Sequence, residues 1–270
     1  MPPIKSRSDQ KTFKKAAAIA GRVCDQLMTL AQPGVATQAL EDAANELLAK
    51  ERATAPFKQF DDFGFAICAS LNHEVVNGIP STERVLKDGD VLKVAIGSQY
   101  RGFCGKAART KLIGDSDSEA KTKNVQQLIQ VTRSVFDTLS NVKKDEWSVW
   151  DITQTIMEIT KDTGYVPVYQ SGGYGIGAQL HQDVMILNSA TDKESESLKR
   201  MILKPGQGVV PMPMLILPKE GGDQDEETGK WTVLEDNWTQ ALDSGAICSH
   251  WAETCWINEE GCFEVLSSSE

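Results

Sequence analysis

The sequence predicts an α+β domain, on three observations. Each half opens with two helical patterns and then runs into short apolar, β-branched segments. The segments of the last third are separated by Gly- and acid-containing turns rather than by helices. A length of 270 residues, 40% of them hydrophobic and 24% charged, suits one large domain with a sizeable core. The two halves suggest related units, although no residue-level repeat joins them.

Taken in order, residues 11–30 read as a helix, stopped at Gln32-Pro33-Gly34, where proline and glycine cannot continue it. A second helix is expected after Thr37 as N-cap, with Leu40, Ala43, Ala44, Leu47 and Leu48 on one stripe. Residues 65–71 and 91–97 are buried-strand patterns, and Asn77-Gly78-Ile79-Pro80 between them is turn chemistry. Helical spacing returns at Val125, Leu128, Thr132, Val135, Phe136 and Leu139. A fourth helix takes Ser148 as cap, buries Val149, Ile152, Ile156 and Ile159, and stops at Gly164. Strands are expected over 184–187, 209–217, 231–234, 247–257 and 262–266. Residues 219–230 are expected to be an acidic, Gly-rich surface loop, and 1–10 an N-terminal extension to a single domain of 1–270.

Composition excludes several classes of function. A formal net charge of -10 opposes non-specific nucleic-acid binding, which needs a basic face, and no sequence-specific nucleic-acid partner is expected. No apolar run approaches the ~18 residues of a membrane span. The basic N-terminus lacks the apolar core of a secretory signal, although Lys5, Arg7, Lys11, Lys14 and Lys15 before a run of alanines share the composition of a transit peptide. Six cysteines at no framework spacing fit reduced thiols in a cytoplasmic protein. Cys248, Cys255 and Cys262 are too widely spaced for a zinc pair and read as buried strand thiols. Glycines 172, 173, 175 and 177 are followed by no helix and do not make a nucleotide loop. The tryptophans at 231, 238, 251 and 256 read as core and rim.

Five segments, in order, resemble the methionine aminopeptidases of the pita-bread fold, in their short, type I-like form. They are residues 70–80 (SLNHEVVNGIP), 86–97 (LKDGDVLKVAIG), 173–181 (GYGIG…LH), 203–214 (LKPG…PM) and 251–266 (WAET…L). The resemblance implies a curved antiparallel sheet flanked by helices in two pseudo-related halves. It also implies a dinuclear metal centre, in which five carboxylate and imidazole side chains hold two divalent cations (Co, Mn, Fe or Zn) that ionise a water.

At the five positions where the family carries those ligands, this sequence has Ala95, Lys106, Tyr174, Met212 and Ala252. Alanine has no donor atom, lysine brings a positive charge, and methionine is too soft for metals that carboxylates favour. Tyrosine ligates only as phenolate. Of the family's two substrate-handling histidines, one position is Asn77 and the other survives as His181, so both read as vestigial.

The expectation is therefore a pseudo-peptidase without metal. It would act as a peptide- or protein-binding module that takes a peptide N-terminus or docks at the ribosome near the nascent chain, as non-catalytic relatives of the fold do. The alternative is an active metallo-aminopeptidase with non-standard ligands. A third reading is a metal-free enzyme using Cys104 or His181. Cys104, Lys106, Tyr174 and His181 are the candidate pocket residues. Lys106 itself is expected to reach out to solvent while the vacated cavity collapses. The competing hypothesis makes it a built-in cation that binds Tyr174, Asn77 or a ligand carboxylate.

Overall fold

The computed structural model describes residues 2–60, 62–115, 118–169, 171–219 and 231–268. The first half opens with α1 (Arg7–Leu30) and α2 (Thr37–Lys50) and continues into β1 (Ile67–Leu71), β2 (Glu74–Val76), β3 (Val91–Tyr100) and β4 (Phe103–Leu112). The second opens with α3 (Glu119–Ser140), β5 (Trp147–Ser148) and α4 (Val149–Thr160). It continues through β6 (Val166–Pro167), β7 (Gly172–Ile176), β8 (Gln182–Leu187), α5 (Asp192–Lys199), β9 (Ile202–Leu203), β10 (Gly208–Val210) and β11 (Met214–Leu217). The chain ends in β12 (Trp231–Val233), β13 (Gln240–Leu242), β14 (Ile247–His250), β15 (Ala252–Glu253), β16 (Cys255–Ile257) and β17 (Phe263–Val265).

Two antiparallel sheets carry the architecture, ordered β1-β3-β4-β15 and β17-β16-β10-β7-β8. Both α1 and α2 cover the first sheet, and α3 and α4 the second, so each half places its helices on its own strands. The halves nevertheless exchange chain, because β15 joins the first sheet beside β4. A third apolar cluster lies between them and contains Phe57, Phe63, Ala95, Met212 and Met214. Strand β3 is buried on both faces over eight residues, as expected of a strand covered by helices on one side and core on the other.

The packing follows from small residues at close approaches. A Cβ on Gly105 would lie 2.5 Å from the carbonyl oxygen of Ala16, so α1 lies directly on β4 only because position 105 has no side chain. Within α1, Phe13, Ala16, Ala17, Ala20, Cys24 and Leu27 form the buried stripe. Buried Glu41 of α2 accepts from the backbone N–H groups of Ala66 (2.9 Å) and Ile67 (3.1 Å), which fixes the start of β1.

Several sequence expectations are corrected. Thr37 is the first residue of α2 rather than its cap. Its hydroxyl accepts from Ser81 N (2.9 Å), and Ala36 takes the cap position. The expected strand over 209–217 divides into β10 and β11, in different sheets, because Pro211 and Pro213 cannot donate to a ladder. The run over 247–257 divides into β14, β15 and β16 for three separate pairings. Helix α1 starts within the expected extension, and Ile4 N donates to Gly206 O (2.8 Å), tying the N-terminal segment to the body. Of the acidic loop at 219–230, all but Lys219 lies outside the described residues. At Ser148 the expectation holds, since its backbone N–H donates to Asp151 Oδ2 (2.6 Å).

Candidate functional site

A cavity of about 330 Å³ opens between the two sheets. The alternation of β3 delivers Lys93 and Ala95 to its wall, and β4 delivers Lys106. Lys106 is held by its backbone: its N–H donates to Thr254 Oγ1 (2.7 Å), and the same hydroxyl donates to Lys106 O (2.8 Å). Strand β7 contributes Tyr174, and the segment between β10 and β11 contributes Met212. Phe57, Phe60, Phe63 and Trp238 give the cavity an aromatic rim, with Phe63 edge-on to Trp238 at 5.1 Å.

Lys106 lies at the centre of the polar contacts. It is 7% exposed, and its Nζ donates to Tyr174 Oη (2.7 Å) and to Met212 Sδ (3.1 Å). The ammonium also sits 4.8 Å from the Tyr174 ring centroid and 5.7 Å from that of Phe57. The expectation of a solvent-reaching Lys106 and a collapsed cavity is thus overturned. The Thr254 clamp and the tyrosine hydroxyl hold the side chain inward, and the aromatic rim keeps the space open.

The electrostatics of the lining are unusual. Burial lowers the Lys106 amine to about 8, and only an ionised Cys68 would act in the opposite direction. Burial raises the Cys68 thiol to about 12 and holds the Tyr174 hydroxyl well above its ordinary value, so both are neutral near neutral pH. His181 stacks on Phe60 at 4.8 Å and meets the Tyr174 ring edge-on at 4.0 Å. Burial, and then the Lys106 charge, lower His181 to about 4. His250, likewise buried, is pushed well below the ordinary histidine range. Lys93 is the other buried amine, also lowered by burial. It is spent on backbone carbonyls, donating to Asn72 O (2.8 Å) and Cys248 O (3.2 Å). Among the described residues no aspartate or glutamate lines the cavity.

The predicted site residues divide. Ala95, Lys106, Tyr174, Met212, Asn77 and His181 all line the cavity. Ala252 does not: it is fully buried in β15 opposite Ala108. Cys104, expected in the pocket, is also outside the lining. It faces the loop after β7, where its N–H donates to Gly177 O (2.7 Å), and burial lifts its thiol to about 11. A thiolate nucleophile at Cys104 is therefore not supported. Sequence reasoning passed over Lys93, His250 and the phenylalanines at 57, 60 and 63 as site residues, while Trp238, read as core or rim, lies in the rim. A lysine inside the apolar run Val91-Leu92-Lys93-Val94 was the one available signal.

Two curved sheets with paired covering helices around such a cavity define the pita-bread peptidase fold. The chain belongs to metallopeptidase family M24, whose pattern it matches over residues 11–236. It is 31% identical to a methionine aminopeptidase of Clostridium acetobutylicum over 269 residues, 99% of both chains. It is 30% identical to methionine aminopeptidase 1 of Bacillus subtilis over 94% of both chains. The crystal structure of a methionine aminopeptidase from Thermotoga maritima superposes with a TM-score of 0.86 at 29% identity, covering all of both chains. A prolidase from Pyrococcus furiosus shares the fold alone, at a TM-score of 0.70 and 17% identity.

The family name raises the question of metal. Among the described residues, no group of three or more His, Cys, Asp or Glu side chains is placed to hold an ion. The cavity offers ammonium groups, thioethers, a tyrosine hydroxyl, the ring-packed imidazole of His181 and the buried one of His250. This donor set does not suit a pair of hard divalent cations.

Proposed function

We propose that this M24 chain uses the family's pocket to bind a ligand and does not carry out metal-dependent hydrolysis. The observation that supports the reading is the Lys106 ammonium, 2.7 Å from Tyr174 Oη and 3.1 Å from Met212 Sδ. It places a fixed cation where the resemblance puts two metal ions, and like charges at such separations repel by several kcal/mol (about 4 kcal/mol for unit charges at 4 Å and an effective dielectric of ~20). The occupant would be a segment of a peptide or protein partner, or a small molecule of matching chemistry, since an aromatic cavity with few polar groups is the usual form of a ligand site. Docking at the ribosome belongs to the same proposal and rests on the resemblance alone.

Methionine aminopeptidase activity is the second reading, favoured by relatives of that name that align over 99% of the chain. Release of methionine from a Met-Ala-Ser peptide in cobalt- or manganese-supplemented buffer separates the two. The binding reading expects no release above a no-protein control. Turnover that chelator abolishes would establish the second.

A further inference from the structure

The lining carries an unusual charge pattern. Lys106 is buried, Tyr174 and Met212, to which it donates, are neutral, and no aspartate or glutamate pairs with it among the described residues. A buried cation without an anion is costly, and folded proteins rarely keep one unless something completes it. An ammonium has three donors. Tyr174 and Met212 account for two, which leaves one for whatever enters the cavity.

A second, independent observation points to the same space. His250 Nε2, in a residue only 3% exposed, has no hydrogen-bond partner among the described residues, and His250 also lines the cavity. Buried polar atoms are ordinarily satisfied, so this orphan, in a residue of the pocket wall, is a second uncompensated polar group beside the cavity. The rest of the wall is apolar or aromatic, with Phe57, Phe63, Trp238 and Met214.

We infer that the pocket binds an apolar carboxylate, its anionic end at Lys106 and its hydrocarbon body against the aromatic rim. This deepens the binding reading above and rests on it. A carboxylate supplies the missing counter-charge and has acceptor oxygens for more than one donor. A peptide N-terminus, by contrast, would set a second ammonium against Lys106. Two sources offer the same chemistry, a free monocarboxylic acid and the C-terminus of a peptide.

The test uses a matched series on the full-length protein by calorimetry or ligand-observed NMR: 3-phenylpropanoate, 3-phenylpropanamide and 3-phenylpropylamine. The acid should bind at least about tenfold more tightly than the amide, the range of one charge-assisted hydrogen bond, and the amine least of all. Lys106→Met should remove the preference for acid over amide. Equal binding of acid and amide, tighter binding of the amine, or no saturable binding of any of the three would overturn the inference. The wild-type comparison decides the matter even if Lys106→Met fails to fold. A hexapeptide ending in Phe, compared as free acid and C-terminal amide, separates the sources: acid-selective peptide binding identifies a C-terminus, and binding of 3-phenylpropanoate alone identifies a free acid. Metal-dependent turnover of Met-Ala-Ser would sink the binding reading itself. Loss of acid selectivity without turnover would sink only the carboxylate.

Discussion

If Lys106 is a cation held for a ligand, the unliganded protein bears its desolvation cost, and Lys106→Met should stabilise it. The amine falls from 10.5 to about 8. At about 1.4 kcal/mol for each factor of ten in proton affinity, that corresponds to about 3 kcal/mol. The Cys68 thiol does not offset this near neutral pH, because it is itself pushed up to about 12 and stays protonated. Removing the ammonium also removes the donor to Tyr174 Oη, worth about 1 kcal/mol. The net gain is about 2 kcal/mol, or ~5 °C in Tm for a chain of this size.

The pH dependence gives the sign. Below about pH 8 the amine is charged in both folded and unfolded chains, and the wild type carries the full cost. As pH rises through 8 toward 10.5, the folded amine sheds its proton while the unfolded one keeps it, so the wild type recovers stability and the variant's advantage narrows. The other titratable groups around the cavity (Cys68, Lys93, Tyr174, His181 and His250) are present in both proteins and largely cancel. Urea denaturation of both proteins from near-neutral pH to about pH 9.5 measures it. A variant less stable than wild type near neutral pH, or a gain that does not change with pH, would refute the reasoning.

Four further outcomes follow from the packing and the electrostatics. Arg109 forms a buried pair with Glu253 (3.0 Å) and stacks on Trp251 at 4.7 Å, so Glu253→Gln should cost about 3 kcal/mol by leaving the guanidinium under-compensated, as chemical denaturation would show. Gly105→Ala drives a Cβ into Ala16 O and should destabilise by roughly 2 kcal/mol, read as a lowered Tm. Half-buried Cys262 should react first with an aromatic disulfide near neutral pH, with Cys24, Cys68 and Cys255 slowest because burial raises their thiols, those of Cys24 and Cys68 to about 12. The ring protons of His181 should not shift by NMR between about pH 6 and 8, because its imidazole ionises only at about 4.

Much of the fold was legible where hydrophobic spacing was strong. The predicted stripe of the third helix, Val125 to Leu139, is buried throughout, and the residues of the fourth expected on one face pack together. Strand β4 was not legible, because Phe103-Cys104-Gly105-Lys106-Ala107-Ala108-Arg109 mixes charge with small residues. Those charges are buried against partners far along the chain, Glu253 and Ser267 for Arg109 and Tyr174 and Met212 for Lys106. The long apolar runs at the end read as continuous strands, since periodicity cannot show that prolines break one and that another serves three ladders.

At the site, the resemblance led to Ala95, Lys106, Tyr174, Met212, Asn77 and His181 in the cavity wall but misjudged two kinds of position. Ala252 and Cys104 share the neighbourhood without facing the space, which depends on strand register. Lys106 was expected outside because lysines usually extend to water; here a tertiary clamp and a tyrosine partner decide its direction. The aromatic rim joins Phe57, Phe60 and Phe63 from one short segment to Trp238 near the other end of the chain, and no spacing in the sequence shows that they meet.

The central claim is that a fixed ammonium, not a metal pair, organises this pocket. Elemental analysis of protein purified without chelator and then equilibrated with cobalt or manganese tests it most directly. The account predicts metal well below one ion per chain, as for a chelator-treated control. Two ions per chain, lost on introducing a bulky residue at Ala95 but not on one at exposed Leu30 at the end of α1, would contradict it.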